Sequence, residues 1–136
     1  MKQCTVLFVN PDQKELSHPE YLRSLGFLVH ETDQWPHDRD LRLYHVVVLR
    51  VANIDDAPML AARLRAKPHF GRRLLIALVE PGTPLHERRG AEASGFDDVL
   101  NECCGGRDLT ARLLRGIRVR PELRCVLPPL LTRRAA

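Results

Sequence analysis

Aromatic side chains and long apolar runs are both scarce in this chain of 136 residues. Phe, Trp and Tyr together make up 5% of it, so surfaces on which nucleic-acid bases could stack are few. No apolar run approaches the roughly 20 residues of a membrane-spanning helix, and the N-terminus leads directly into a strand-like run rather than a signal peptide. We therefore expect a cytoplasmic protein that does not bind membranes. Hydrophobic residues at 44% and charged residues at 28% exclude a chain that is disordered throughout.

The cysteines and histidines lack the spacing of a metal site. The four cysteines contain no C-x-x-C pair, and the six histidines form neither H-x-x-x-H nor H-E-x-x-H. Adjacent Cys103 and Cys104 cannot easily form a disulfide with each other, and the sequence leaves their role open. We expect reduced, structural thiols, with a redox or metal role as the lesser alternative, and we predict no metal and no cofactor.

Lysine is also rare: only three of the 21 basic residues are lysines, and the others are arginines. From residue 105 to the end there are eight arginines against two acidic residues. Arginine makes planar, forked contacts with carboxylates and phosphates, so this region is a candidate docking surface. A solvated basic tail is the alternative, and the sequence leaves both open.

The chain has the length of one domain, with strand-like and helical patterns in alternation. Continuous apolar runs at residues 5–9, 44–49 and 74–79 are typical of strands buried on both faces, and residues 27–30 and 98–101 are weaker candidates. Helical patterns cover residues 17–25, 36–43, 56–67, 87–94 and 108–118, the first opening with the capping-box form Ser17-x-x-Glu20. This alternation predicts a three-layer α/β sandwich around a parallel sheet. We assign the domain to residues 1–119 and a basic, proline-containing extension to residues 120–136.

Two motifs resemble a known family. Residues 64–68, LRAKP, lead into 75–78, LIAL, and residues 90–100 read GAEASGFDDVL. Both are similar to stretches of the receiver domains of bacterial two-component response regulators, and the resemblance extends over residues 4–118. It implies a doubly wound (βα)5 flavodoxin/CheY-like domain with strand order 2-1-3-4-5.

The resemblance also implies a phosphorylation site, from which this sequence departs. Working receivers accept a phosphoryl group on an aspartate at the end of strand three, and two acidic residues after strand one hold Mg²⁺. A Thr or Ser after strand four and a Lys after strand five contact the phosphoryl oxygens, and strand five carries an aromatic residue. Here those positions carry Arg50 for the phosphoacceptor, Asn10 and Pro11 for the acidic pair, Val79 for Thr/Ser, Glu102 for Lys and Val99 for the aromatic residue. Asp12 alone is a poor substitute for the acidic pair, so we predict loss of phosphotransfer and of Mg²⁺ binding.

Two of these departures are coupled by charge. The family's Asp and Lys positions are Arg50 and Glu102 here, which reverses the charge of each. A buried guanidinium needs an anionic partner, because an isolated buried charge costs several kcal/mol. We therefore predict that Arg50 lies within salt-bridge distance of Glu102 or Asp12. The alternative is that Arg50 points into solvent.

The resulting hypothesis is a pseudo-receiver, an atypical response regulator without enzymatic activity that acts in bacterial signal transduction through protein contacts. In the family, the face built from helix four, strand five and helix five mediates dimerisation and docking. We expect no output domain after residue 136, and therefore a protein partner in trans or a homodimer. The residues that we assign to this face are Arg88, Arg89, Val99, Arg107, Arg112 and Arg115.

Three alternatives remain open at this point. The first is a phosphorelay receiver with a displaced acceptor, Asp55 or Asp56, in the loop after strand three. The second is a nucleic-acid-binding regulator that uses the arginine-rich C-terminal region, although no helix-turn-helix or zinc pattern supports it. The third is an unrecognised enzyme that binds a small anion near Arg50 and Glu102, or at Gly105-Gly106 before a helix.

Overall fold

The strands of this protein alternate with its helices, in a computed structural model that describes residues 2–134. Met1 and the last two residues of the predicted extension lie outside the described residues. In chain order the strands are β1 (Lys2–Gln3), β2 (Thr5–Val9), β3 (Leu28–Thr32), β4 (Val46–Val51), β5 (Leu74–Val79), β6 (Asp98–Asn101) and β7 (Cys125–Val126).

The first five helices lie where the sequence patterns predict them, with ends that differ by a few residues, and the sixth was not predicted. They are α1 (His18–Ser24), α2 (Asp38–Leu41), α3 (Ala57–Arg65), α4 (Leu85–Ala93), α5 (Gly106–Arg118) and α6 (Pro129–Arg134). Short 3-10 turns occupy Ile54–Asp56 and Pro121–Leu123. Among these helices, none combines the length and the apolarity that crossing a bilayer requires.

Five of the strands form one parallel sheet. Its order is β3-β2-β4-β5-β6, and every neighbouring pair is parallel. Numbered within this sheet alone, the order is the predicted 2-1-3-4-5, so the fold prediction is confirmed. The central strands β4 and β5 are buried at every residue, as their continuous apolar sequences indicate, because helices cover both faces of a parallel sheet.

The core has two parts, one on each face of the sheet. Leu41 of α2, Leu64 of α3 and Ala91 of α4 pack on one face. Leu22 of α1 and Leu113 of α5 pack on the other. The result is the predicted three-layer arrangement. Helices cover the two faces of the sheet, and the loops at its carboxyl edge are where proteins of this class place a functional site.

Helix α1 begins as expected but without the predicted capping box. Ser17 is its N-cap residue, yet the Ser17 side chain makes no capping hydrogen bond. The φ of Ser17 is −86° with ψ −10°, whereas a capping residue ordinarily has extended backbone. This helical backbone, followed at once by Pro19, explains why that expectation is wrong.

The C-terminal segment, residues 120–134, packs back onto the domain. Strand β7 pairs in parallel with β1. Leu123, Leu127 and Leu131 lie against the core on the α1 and α5 face, and the Arg120 guanidinium donates to Asp97. A division of the chain at residue 119 stays a prediction, because this segment shares the core of the preceding residues.

Candidate functional site

The residues that follow four of the parallel strands converge at one edge of the sheet. Asn10 follows β2, Arg50 lies near the end of β4, Glu80 follows β5 and Glu102 follows β6. All four strands run in the same direction, so their carboxyl ends meet where α/β proteins of this class bind ligands.

Arg50 is buried at this edge and is surrounded by carboxylates. Its side chain is 4% exposed. The guanidinium Nε donates to Glu102 Oε2 at 2.8 Å, and Nη1 donates to Asp12 Oδ2 at 2.7 Å. Nη2 lies 3.7 Å from Glu80 Oε1. The structure thus brings Arg50 together with both of its predicted partners and does not leave it in solvent.

Glu102 is more deeply buried than the other carboxylates of the site and binds two cations. Its side chain is 2% exposed, and its backbone N–H continues the sheet by donating to Val79 O at 2.7 Å. The Lys14 ammonium donates to Oε1 of Glu102, while Arg50 occupies Oε2. Glu102 therefore lies between a buried guanidinium and a half-exposed ammonium.

Sequence reasoning missed Lys14, and a turn explains why it reaches the site. Asn10 Oδ1 accepts a hydrogen bond from the Lys14 N–H at 3.2 Å, and Asn10 Nδ2 donates to Lys14 O at 2.6 Å. Gln13 adopts a φ of 52° and donates its N–H to Asn10 O at 3.1 Å. The one available signal was Asn10 in a turn cluster, because Asn and Asp side chains close such turns on their own backbone.

The pKa values in the site follow from burial opposed by these contacts. Burial raises the pKa of Glu102, but hydrogen bonds from Lys14 and Arg50, together with their charges, outweigh it and hold the pKa below its ordinary value. Burial lowers the pKa of Arg50, but the hydrogen bonds and charges of Glu102 and Asp12 outweigh it and raise the pKa above its ordinary value. Both groups are therefore charged at neutral pH.

Solved receiver-domain structures share this arrangement of strands and helices. An atypical orphan response regulator, described as revealing a phosphorylation-independent regulatory mechanism, matches with a TM-score of 0.65 and 19% identity over 84% of this chain and 95% of that chain. A CheY-like receiver domain from Methanospirillum hungatei JF-1 matches with a TM-score of 0.64 and 11% identity, over 89% and 98%. This chain has the receiver-domain fold. The receiver domain of a sensor histidine kinase from Pseudomonas aeruginosa PAO1, with magnesium in its active-site cleft, matches with a TM-score of 0.61 and 20% identity, over 85% and 98%. No family model and no curated protein matches the sequence.

The residues at the phosphorylation site of this receiver fold do not suit Mg²⁺. That ion requires hard oxygen ligands in octahedral geometry. Here the guanidinium of Arg50 and the ammonium of Lys14 approach the same buried carboxylate, and Pro11 offers no side-chain oxygen. The two cations use both oxygens of Glu102.

The structure describes the side chains at the positions expected to handle the phosphoryl group. Arg50 is a permanent cation and not a nucleophile. Val79 is buried, 1% exposed, within the apolar core and has no hydroxyl. Glu102 supplies a negative charge where the family's Lys supplies a positive one. Asp55 and Asp56, the displaced acceptor candidates, are exposed in the turn after β4.

Two arginines of the predicted interaction face are committed to a partner within the domain. Arg112 Nη1 lies 3.2 Å from Asp98 Oδ2, and Arg115 Nη2 lies 3.6 Å from the same oxygen. Asp98 itself is 8% exposed. Arg112 and Arg115 therefore compensate a buried carboxylate, so their substitution would disturb the fold as well as a surface.

The other members of that face differ in their exposure. Arg89 and Arg107 are exposed. Arg88 is half-buried, and its Nε has no hydrogen-bond partner among the described residues. Val99 is 5% exposed and packs in the core on the α3 and α4 face. Including Val99 in a contact surface was therefore wrong, because its side chain points into the domain.

Cys103 and Cys104 lie in the loop between β6 and α5. Cys103 is exposed and Cys104 is half-buried, and the Cys104 carbonyl pairs with His18 Nε2 at 2.7 Å. Gly106 is buried as the first residue of α5, where an added Cβ would clash with the Tyr21 ring. This glycine therefore serves the close approach of α5 to Tyr21.

Proposed function

We propose that this protein is a phosphorylation-independent receiver module, an atypical response regulator that acts in signal transduction through protein contacts and has no enzymatic activity. The observation that carries the proposal is the Arg50–Glu102 pair at the carboxyl edge of the sheet, with Nε and Oε2 2.8 Å apart. A permanent cation stands where a working receiver needs a nucleophilic carboxylate.

The ion pairs of Arg50 supply internally what a phosphoryl group and Mg²⁺ supply in a working receiver. Arg50 connects the β4 end to the β2 loop through Asp12 and to the β6 end through Glu102. Lys14, in the loop after β2, adds a second ion pair to Glu102. Under this proposal the domain holds one arrangement of these loops permanently, and no chemical event switches it.

One structural neighbour supports this interpretation by analogy. The atypical orphan response regulator that shares the fold is described as using a phosphorylation-independent mechanism. At 19% identity the likeness concerns the fold. The residues of this chain, above all Arg50 and Glu102, therefore carry the proposal.

The contact surface in this proposal is the face formed by α4, β6 and α5, which is basic. Arg89 and Arg107 are exposed there, and neither forms an ion pair within residues 2–134. A partner with an acidic surface would suit these side chains, because arginine pairs well with carboxylates. The family resemblance also suggests a second copy of this chain as the partner at this face.

The first experiment tests phosphoryl acceptance by intact mass. The protein is incubated with Mg²⁺ and acetyl phosphate, and we expect no mass increase. The matched positive control restores the family's residues with R50D, E102K, N10D, P11D and V79T in one chain, which should gain one phosphoryl group if it folds. A mass gain by the unaltered protein would contradict the proposal, and mapping it to Asp55 or Asp56 would establish the displaced-acceptor alternative.

The second experiment tests the surface. Arg89 and Arg107 are both reversed with R89E/R107E, and R39E, an exposed arginine of α2, is the control. We expect the double variant, but not R39E, to lose its partner in affinity capture or to shift from dimer to monomer in sedimentation. Salt-sensitive binding to duplex DNA, lost on substitution of C-terminal arginines, would instead favour the nucleic-acid alternative.

A further inference from the structure

Three side chains with soft or borderline donor atoms meet at the amino edge of the sheet, opposite the Arg50 site. Cys4 directly precedes β2, His45 directly precedes β4, and Cys125 begins β7. Their donor atoms, the two Sγ atoms and an imidazole nitrogen, all lie within 4.8 Å of one another. Cys4 is buried, and the other two are half-buried.

The backbone fixes each of these residues before any ligand binds. The Cys4 N–H donates to Val126 O at 2.9 Å, which joins it to β7. The His45 N–H donates to Thr5 O at 2.9 Å. Cys125 is the register partner of Lys2 in the β1–β7 pair. The three donors therefore converge on hydrogen-bonded strand ends and not on loose loops.

We propose that Cys4, His45 and Cys125 bind one Zn²⁺ ion, with a water molecule as the fourth ligand. Zn²⁺ binds Cys sulfur at about 2.3 Å and His nitrogen at about 2.0–2.1 Å in tetrahedral geometry, which sets donor atoms roughly 3.5–3.8 Å apart. Donor atoms already within 4.8 Å of one another need only small shifts to reach that geometry. Two thiolates would also neutralise the charge of the ion.

A disulfide between the two cysteines fits the register less well than a shared metal ion. Because Lys2 is the partner of Cys125, Cys4 lies diagonally across the strand pair. Strand spacing and rise place diagonal Cα atoms roughly 8 Å apart, beyond the limit of about 7 Å for an unstrained disulfide. A metal ion spans such a pair because its sulfur ligands remain well separated.

One hydrogen bond orients the imidazole of this cluster. The Thr5 N–H donates to His45 Nδ1 at 3.1 Å. Zinc binding would displace the two thiol protons, because the sulfur ligands of a metal ion are thiolates.

A bound ion would fasten the C-terminal segment to the sheet. Cys125 belongs to residues 120–134, whereas Cys4 and His45 border the central strands. His45 also lines a cavity of about 220 Å³, together with Arg72 and Arg73. The binding free energy would then add to the stability of the folded chain.

The test is a titration of the full, reduced chain with Co²⁺ as the spectroscopic probe, followed by displacement with Zn²⁺. We expect one equivalent to bind, with thiolate-to-cobalt charge-transfer absorption, and Zn²⁺ to raise Tm. In C125S and H45Q the affinity should fall by more than about 100-fold, beyond the effect of losing an outer-shell partner. The matched control C103S, at an exposed cysteine, should bind as the unaltered chain does.

A second readout needs no variant. On addition of Zn²⁺ the amide resonance of Thr5 should shift, and hydrogen exchange in residues 120–134 should slow. The proposal is overturned if no ion binds, if C125S and H45Q bind as tightly as the unaltered chain, or if binding disappears in C103S. A Cys4–Cys125 disulfide, with no zinc, in the protein as purified without added reductant would also overturn it.

Discussion

Arg50 and Glu102 form an ion pair between the ends of β4 and β6. The guanidinium Nε and the carboxylate Oε2 are 2.8 Å apart, and both side chains are at least 96% buried. Such a pair is costly to break from one side, because the remaining charge is left without its partner in a poorly hydrated place.

Breaking this pair from one side should cost more than removing both charges. We expect R50M and E102M each to lower the free energy of unfolding by about 3–5 kcal/mol. The double variant R50M/E102M should be more stable than either single one, because two apolar side chains replace two charges. Urea unfolding of the four proteins measures the coupling. Additive losses would show that the two side chains do not depend on each other.

The fall in the free energy of unfolding at acid pH should depend on Glu102. Its pKa in the folded protein lies below the ordinary value, so the ionised carboxylate stabilises the fold above its ordinary pKa. That contribution disappears as the pH falls through the folded value. We expect the stability difference between the unaltered protein and E102Q to be constant above about pH 5 and to shrink below about pH 4. The control E92Q, at an exposed position of α4, should leave the profile unchanged.

Lys14 should determine the pH at which this fall in stability begins. The variant K14M removes one of the two cations that lower the Glu102 pKa, so this pKa should rise and stability should begin to fall at a higher pH. We expect a loss of about 1 kcal/mol near neutral pH, since Arg50 still pairs with Glu102. The Glu102 carboxyl shift in an NMR titration reports the pKa directly, with K67M as the control. An unchanged Glu102 titration in K14M would exclude the ammonium contact in solution.

Two helical glycines should respond in opposite directions to alanine. A Cβ at Gly116 in α5 would lie 2.6 Å from Leu74 Cδ1, whereas a Cβ at Gly90 in α4 would meet nothing within 4 Å. We expect G90A to stabilise the protein by about 0.5–1 kcal/mol through helix propensity. G116A should destabilise it by about 1–2 kcal/mol, because overpacking outweighs the same propensity gain. Thermal unfolding of both variants tests the packing of α5 on β5, and a stabilising G116A would show that Leu74 can move aside.

The sheet was the most predictable part of the fold. The runs at residues 44–49 and 74–79 are continuous and apolar because helices cover both faces of the strands that they form. Their composition alone therefore predicts that these strands are buried. The Ser17 capping box failed because a local motif does not determine the backbone angles of its residue. The short strands β1 and β7 had no detectable pattern, since two residues are too few for any periodicity.

The site was partly predictable for a similar reason. Parallel strands bring their carboxyl ends to one edge, so Arg50, Glu102 and Asp12 could be expected to meet. Lys14 joins them only because Asn10 closes a turn around it. Val99 lies in a run predicted to be a strand, but the sequence does not indicate which face of the sheet its side chain occupies. That choice depends on the helices that pack against β6.

The sequence by itself determined the alternation of elements, the parallel sheet and the absence of a phosphorylatable carboxylate at the end of β4, because composition and strand periodicity act over a few neighbouring residues. Only the tertiary structure decided that Lys14 caps Glu102, that Arg112 and Arg115 compensate Asp98, and that Cys4, His45 and Cys125 converge. These contacts join residues far apart in the chain. Their geometry is set by how helices and strands pack and not by any local spacing.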